Sequence, residues 1–149
     1  MRKFLIFRTD RVGDFLFSLI LIKIIKKDFP NSHITLVASE KNYKYAKTFE
    51  ILDDVVMLKN NLFSKLNLIL KLKIKKFDTI IVHDGKNRSK FISFFLKSKK
   101  KIICVTDLIN TQIDIIKKVC DQINLIYEES CLNFLENRTY SLSVLPFKN

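Results

Sequence analysis

Short apolar runs alternate with longer stretches of helical periodicity along nearly the whole chain, and that order constrains the fold more than any other feature. Phe4-Leu5-Ile6-Phe7, Ile80-Ile81-Val82 and Ile102-Ile103-Cys104-Val105 are apolar at successive positions. Both faces of such strands must be covered, as in a parallel sheet lying between two helix layers. The pattern predicts strands over 3–9, 33–38, 55–58, 79–83 and 101–105, and helices over 13–28, 42–48, 62–76, 88–96 and 110–126. The helix over 62–76 carries a competing signal: Leu70-Lys-Leu-Lys-Ile-Lys-Lys76 alternates with a period of two, while Leu62, Leu66, Ile69 and Leu70 keep helical spacing. The fold class expected is α/β, a doubly wound, Rossmann-like parallel sheet. In such sheets ligands bind outside the carboxyl ends of the strands, where loops lead into helix N-termini.

A chain of 149 residues, 48% of them hydrophobic, makes one ordinary domain that buries roughly two-thirds of its unfolded surface, and disorder is set aside. The apolar run 15–22 is far short of the ~20 residues that span a bilayer. The start has a basic Arg2-Lys3 but no apolar stretch of signal-peptide length, so an intracellular protein is expected. Cys104, Cys120 and Cys131 are odd in number, with no C-x-x-C spacing, and lie far from His33 and His83; a disulfide framework and a zinc site are both disfavoured. Without a signal peptide, the glycosylation pattern Asn137-Arg138-Thr139 carries no weight.

The net charge of +12 is concentrated. Residues 59–101 hold 13 basic and 2 acidic side chains, against 10 and 7 before them and 4 and 6 after. That middle third would attract phosphate groups, nucleic acid or an anionic membrane surface. A general over-use of Lys, Ile, Asn and Phe set by base composition explains the same excess. Nucleic acid is disfavoured as a partner, since no reading motif or stacking pattern of aromatics accompanies the charge.

The whole chain has two glycines, Gly13 and Gly85, each just after a strand and just before a helix. Glycine there permits a tight turn or the close approach of a ligand, and the helix behind it offers unpaired N–H groups to an anion. The loop Arg8-Thr9-Asp10-Arg11-Val12-Gly13-Asp14 lacks both the G-x-G-x-x-G of a dinucleotide site and the G-K-[ST] of a P-loop. It sets the carboxylates of Asp10 and Asp14 beside Arg8 and Arg11. Asp14 reads either as a first-turn acid that complements the helix dipole or as a general base taking a proton from an attacking hydroxyl. It is expected to be partly exposed, in a cleft with Arg11 and the loop at 85–89.

This first loop, the apolar helix behind it and Phe29-Pro30-Asn31-Ser32-His33-Ile34-Thr35-Leu36-Val37 together resemble the N-terminal domain of the bacterial heptosyltransferases, glycosyltransferase family 9. Phe77-Asp78-Thr79-Ile80-Ile81-Val82-His83-Asp84-Gly85-Lys86-Asn87-Arg88-Ser89 is similar to the family's strand ending in a Gly-x-x-Arg-Ser loop. The resemblance covers about residues 3–107. One departure is Ile20, in the neighbourhood where the family carries a proline.

The resemblance implies the N-terminal half of a two-domain GT-B transferase that moves heptose from ADP-heptose to the lipopolysaccharide inner core, with inversion and without an obligatory metal. It gives Asp14 the role of catalytic base and suggests Arg11, Gly13, Gly85, Lys86 and Arg88 for the acceptor site. The family's nucleotide-sugar domain is expected to follow where this sequence stops. Residues 1–149 are therefore read as a single acceptor-side domain, with no cofactor of its own and with donor binding left to the absent domain. The partners implied are the lipopolysaccharide core acceptor, an anionic membrane surface and a separate nucleotide-sugar-binding domain. The place implied is the cytoplasm, peripheral on the inner face of the inner membrane. The alternative is a stand-alone, non-catalytic binding module for a small anionic ligand.

Overall fold

The protein is described by a computed structural model covering residues 1–104 and 112–125. The elements in chain order are β1 (Lys3–Arg8), α1 (Val12–Asp28), β2 (His33–Ser39), α2 (Glu40–Ala46), β3 (Asp54–Leu58), α3 (Leu62–Lys75), β4 (Phe77–Val82), α4 (Asn87–Phe94), β5 (Ser98–Ile103) and α5 (Gln112–Gln122). The five strands form one sheet in the order β3-β2-β1-β4-β5, and every neighbouring pair is parallel.

Alternation along β1 divides the core into two layers. Phe4 and Ile6 face α1, α2 and α5, in a cluster that includes Leu19, Ile22, Ala46 and Ile116. Leu5 and Phe7 face α3 and α4, packing with Leu68, Leu72 and Ile92. α1 is buried through most of its length, at Leu19, Ile20, Leu21, Ile22, Ile24 and Ile25, which is how a helix that is apolar all round must sit. Each such side chain contributes about 1.5–3 kcal/mol by leaving water. Ile20 lies fully buried in this helix, which continues unbroken from Val12 to Asp28.

α3 takes the helical alternative. Leu68, Ile69 and Leu72 are buried on one side while Leu70 and Ile74 are exposed, so the period-two alternation is a by-product of lysines inserted into a helix with apolar side chains on two faces.

β5 differs from expectation in two ways. It begins at Ser98, three positions earlier than the expected start at 101, because parallel pairing of Phe77 with Ser98 and Thr79 with Lys100 needs only backbone groups. Among the described residues it is also an edge strand, and Ile103 is 45% exposed where cover on both sides was expected. Exposed Lys99, Lys100 and Lys101 suit an edge that must not pair with another chain. Residue 105, the first residues expected in the last helix, residue 126, Cys131 and Asn137-Arg138-Thr139 lie outside the described residues. Cys104 and Cys120 are both buried. No helix among the described residues is long and apolar enough to cross a membrane.

Register decides what meets at the carboxyl edge. Phe7 is level with Val37 on one side and Val82 on the other, and Arg8 with Ala38. The loops after β1, β2 and β4 therefore leave the sheet side by side.

Candidate functional site at the carboxyl edge

The floor of the site is a buried cation. Arg8, the last residue of β1, has no exposed surface. Its Nε donates to the carbonyl of Asp14 at 2.9 Å and its Nη1 to the carbonyl of His83 at 2.8 Å. Asp10 and Asp14 each bring a carboxylate oxygen to 3.8 Å from the guanidinium. Burial presses the Arg8 pKa below the ordinary guanidinium value, while Asp10, Asp14 and Asp84 oppose that shift. Because the two carbonyls belong to the start of α1 and the end of β4, Arg8 ties both to β1.

Asp84 forms the second knot. Its Oδ2 accepts from the Thr9 backbone N–H at 3.1 Å, from the Thr9 hydroxyl, and from the Ser89 hydroxyl at 2.7 Å. Its Oδ1 accepts from the Lys86 N–H at 3.1 Å. Arg88 closes over the same threonine: its Nη2 donates to the Thr9 carbonyl at 2.8 Å, its Nε to the Thr9 hydroxyl at 3.2 Å, and its Nη1 to Asn60 Oδ1 at 3.1 Å. On the other side, Asn42 Nδ2 donates to the Arg8 carbonyl at 2.8 Å, and the same side chain caps α2 by accepting from the Ser39 N–H at 2.8 Å. The loops after β1, β2 and β4 are thus held in one arrangement by buried or half-buried polar groups, and the loop after β3 is tied to them by the exposed Arg88–Asn60 bond.

Above this floor lies an open cleft of about 680 Å³. The first loop supplies Asp10, Arg11 and Asp14, the start of α2 supplies Glu40 and Lys41, the end of β3 supplies Leu58 and Asn60, and the start of α4 supplies Lys86, Asn87 and Arg88. Asp14 sits in the first turn of α1 with its side chain 40% exposed. The Arg11 N–H reaches back to its Oδ2 at 3.4 Å. Asp10 lies between Arg8 and the Lys86 ammonium, which it meets as an ion pair.

Of the residues singled out from sequence, Asp14, Arg11, Lys86 and Arg88 line this one cleft. Gly13 and Gly85 stand beside it for different reasons. Gly85 has φ 60°, a left-handed conformation that favours glycine. Gly13 is helical, and a Cβ built on it would meet nothing within 4 Å, so neither backbone strain nor packing requires glycine there. Sequence reasoning did not single out Asp84, Arg8 or His83 as the layer beneath. His83 is fully buried, with its Nδ1 2.9 Å from the Ser18 hydroxyl. Burial, with the Arg8 charge nearby, lowers its pKa to about 3, so the ring is neutral. Cys104 is buried too, and burial raises its thiol to about 11, which leaves it protonated.

The arrangement offers an exposed carboxylate, that of Asp14, beside cationic side chains that face the same space. Cations of this kind can bind phosphate or carboxylate groups, and an exposed carboxylate can accept a proton.

No family model and no curated protein matches the sequence. Solved structures match the fold. A glycosyl transferase family 9 protein from Veillonella parvula DSM 2008 superposes with a TM-score of 0.71 at 15% identity, over 84% of this chain and 42% of that one. E. coli heptosyltransferase WaaC with ADP gives 0.71 at 11% identity, over 85% and 49%. E. coli ADP-heptose lps heptosyltransferase II gives 0.57 at 17% identity, over 68% and 30%. The chain therefore has the Rossmann-like fold of one domain of these GT-B enzymes, and it spans half their length or less.

Proposed function

We propose that this chain is the acceptor-side domain of a glycosyltransferase, one that transfers heptose from ADP-heptose to the inner core of lipopolysaccharide when a nucleotide-sugar domain faces it across the cleft. The observation that carries the reading is the exposed Asp14 carboxylate at the carboxyl edge of the sheet, in one cleft with Arg11 and Lys86. The fold shared with heptosyltransferases makes sugar transfer the chemistry to test first.

In the proposed reaction an acceptor hydroxyl attacks the anomeric carbon of the donor sugar, and its proton passes to Asp14 as the new glycosidic bond forms. The bond to the nucleoside diphosphate breaks, its electron pair leaving with the phosphate oxygen, and attack from the opposite face inverts the carbon. Arg11 and Lys86 bind phosphate or carboxylate groups of the acceptor, and Gly13 leaves room for its approach. Arg88 has most of its donors on Thr9 and Asn60; it positions the loops and turns its remaining Nη1–H to the acceptor. Gly85 allows the turn that presents Lys86.

A non-catalytic module for a small anionic ligand would use the same cations. Titration of the chain with a phosphorylated core oligosaccharide should show salt-sensitive binding that Arg11→Gln and Lys86→Gln each weaken about tenfold, or ~1.4 kcal/mol. Absence of binding, or binding indifferent to both substitutions, would remove the acceptor-site assignment.

A further inference from the structure

Lys86 is a cation that the cleft already engages. Arg11, Lys41, Lys86 and Arg88 line the cleft opposite three acids, Asp10, Asp14 and Glu40, so the space is close to electroneutral although the whole chain carries +12. Arg88 gives most of its donors to Thr9 and Asn60. The Lys86 ammonium sits on Asp10 Oδ1 as an ion pair. A ligand anion that is to use Lys86 must therefore take it from Asp10.

The two partners are held unequally. Asp10 belongs to a loop that the chain fixes: its backbone carbonyl accepts from the Ser39 hydroxyl at 3.3 Å, and its second carboxylate oxygen lies 3.8 Å from Nη1 of the buried Arg8. Its side chain is 15% exposed, that of Lys86 44%. Lys86 is tied at its root, where it is the N-cap residue of α4 and its backbone N–H donates to Asp84 Oδ1 at 3.1 Å. From there a flexible stem carries the ammonium. The ammonium can swing to a new partner, while Asp10 stays where it is with Arg8 behind it.

We infer that Asp10 is the cleft's built-in counterion for Lys86, displaced when a phosphate monoester of the acceptor takes the ammonium, and that Asp10 thereby sets which anions the cleft accepts. The inference rests on the acceptor-site reading of this cleft. A ligand carboxylate would replace one carboxylate by another, and it would lose its own freedom of movement on binding. A phosphate monoester carries about −1.5 to −2 charge at pH 7 and three strong acceptor oxygens. That is enough to hold Lys86 and a neighbouring cation such as Arg11 together.

Titration of the chain with glucose 6-phosphate and with glucuronate, two sugars that differ in the charge of one group, tests the inference in a double-mutant cycle of Asp10→Asn and Lys86→Gln. The parent should bind the phosphate at least about tenfold more tightly than the carboxylate. Asp10→Asn should tighten phosphate binding about tenfold, because the ammonium is no longer held back. In the Lys86→Gln background the same substitution should change binding by less than about threefold, since only the repulsion between Asp10 and the ligand is then removed. Should Asp10→Asn prove too unstable to titrate, Asp10→Ser takes its place in the cycle. Equal tightening in both backgrounds would reduce Asp10 to a general source of repulsion and overturn the inference. Unchanged or weaker binding by Asp10→Asn, or equal affinity of the parent for the two sugars, would overturn it too. In each of these cases the acceptor-site reading survives as long as Lys86→Gln weakens binding. Indifference of the parent to Lys86→Gln would instead remove that reading and this inference together.

Discussion

Asp84 holds Thr9 by both its backbone N–H and its hydroxyl, although the two residues are 75 positions apart in the chain. The bond joins the ends of β1 and β4 directly beneath the cleft. Parallel pairing of these strands brings the residues level, and the carboxylate then fixes the first loop in one conformation. Asp84→Ala removes the acceptor for Thr9, Ser89 and Lys86 at once and leaves buried donors unpaired. A loss of about 2–4 kcal/mol is predicted in urea unfolding. A loss below ~0.5 kcal/mol would show that the knot does not hold the loops.

The two glycines should separate. Gly85→Ala forces a side chain into a left-handed turn and is expected to cost about 1 kcal/mol or more. Gly13→Ala places a methyl in open space on a helix, and should raise stability by about 0.4–1 kcal/mol. If Gly13 is there for the ligand, the same variant must weaken acceptor binding. Unfolding curves and titrations on both proteins check the pair, and a stabilised Gly13→Ala with undiminished binding would end that role for Gly13.

His83 makes stability depend on pH in a defined window. Its folded-state pKa is lowered from 6.5 to about 3 by burial, so below pH ~6.5 the unfolded chain binds a proton that the folded one refuses. Stability contributed by the neutral buried ring is complete above the unfolded pKa and falls with pH down to the folded one. The slope from this group approaches about 1.4 kcal/mol per pH unit between pH 5 and 4. His83→Asn keeps a polar atom for Ser18 and cannot titrate. Its stability should be lower at neutral pH and flatter with pH, and a slope equal to the parent's would contradict the assignment.

Much of the fold was legible because the sheet's central strands are apolar on both sides and the helices behind them keep their period. β5 was misplaced at its start because Ser98, Lys99 and Lys100 carry no apolar signal; such a strand is held by backbone pairing that sequence does not display. The cleft-facing residues were legible for a different reason. Glycine and charged residues clustered where β1 and β4 end, and a doubly wound sheet puts ligands there. The layer beneath was not. Arg8, His83 and Asp84 each read as an ordinary polar residue closing a strand, and their partnership exists only once register sets β1 beside β4. The one available signal was position: Arg8 and His83 follow directly on an apolar run and Asp84 comes one position later, where a side chain is buried before the chain leaves the sheet.

The most direct measurement is turnover of ADP-heptose by this chain joined to a nucleotide-sugar domain, with Asp14 and with Asp14→Asn, alongside the melting temperature of each. The 149 residues alone are expected to give no meaningful turnover, because orienting donor against acceptor can be worth ~7–11 kcal/mol and takes two domains. In the joined protein, Asp14→Asn is predicted to cut turnover by about 10²–10⁴-fold while acceptor affinity and melting temperature change little, since the amide keeps the shape of the carboxylate. Intact turnover with a lowered melting temperature would make Asp14 a helix-capping acid and contradict the account.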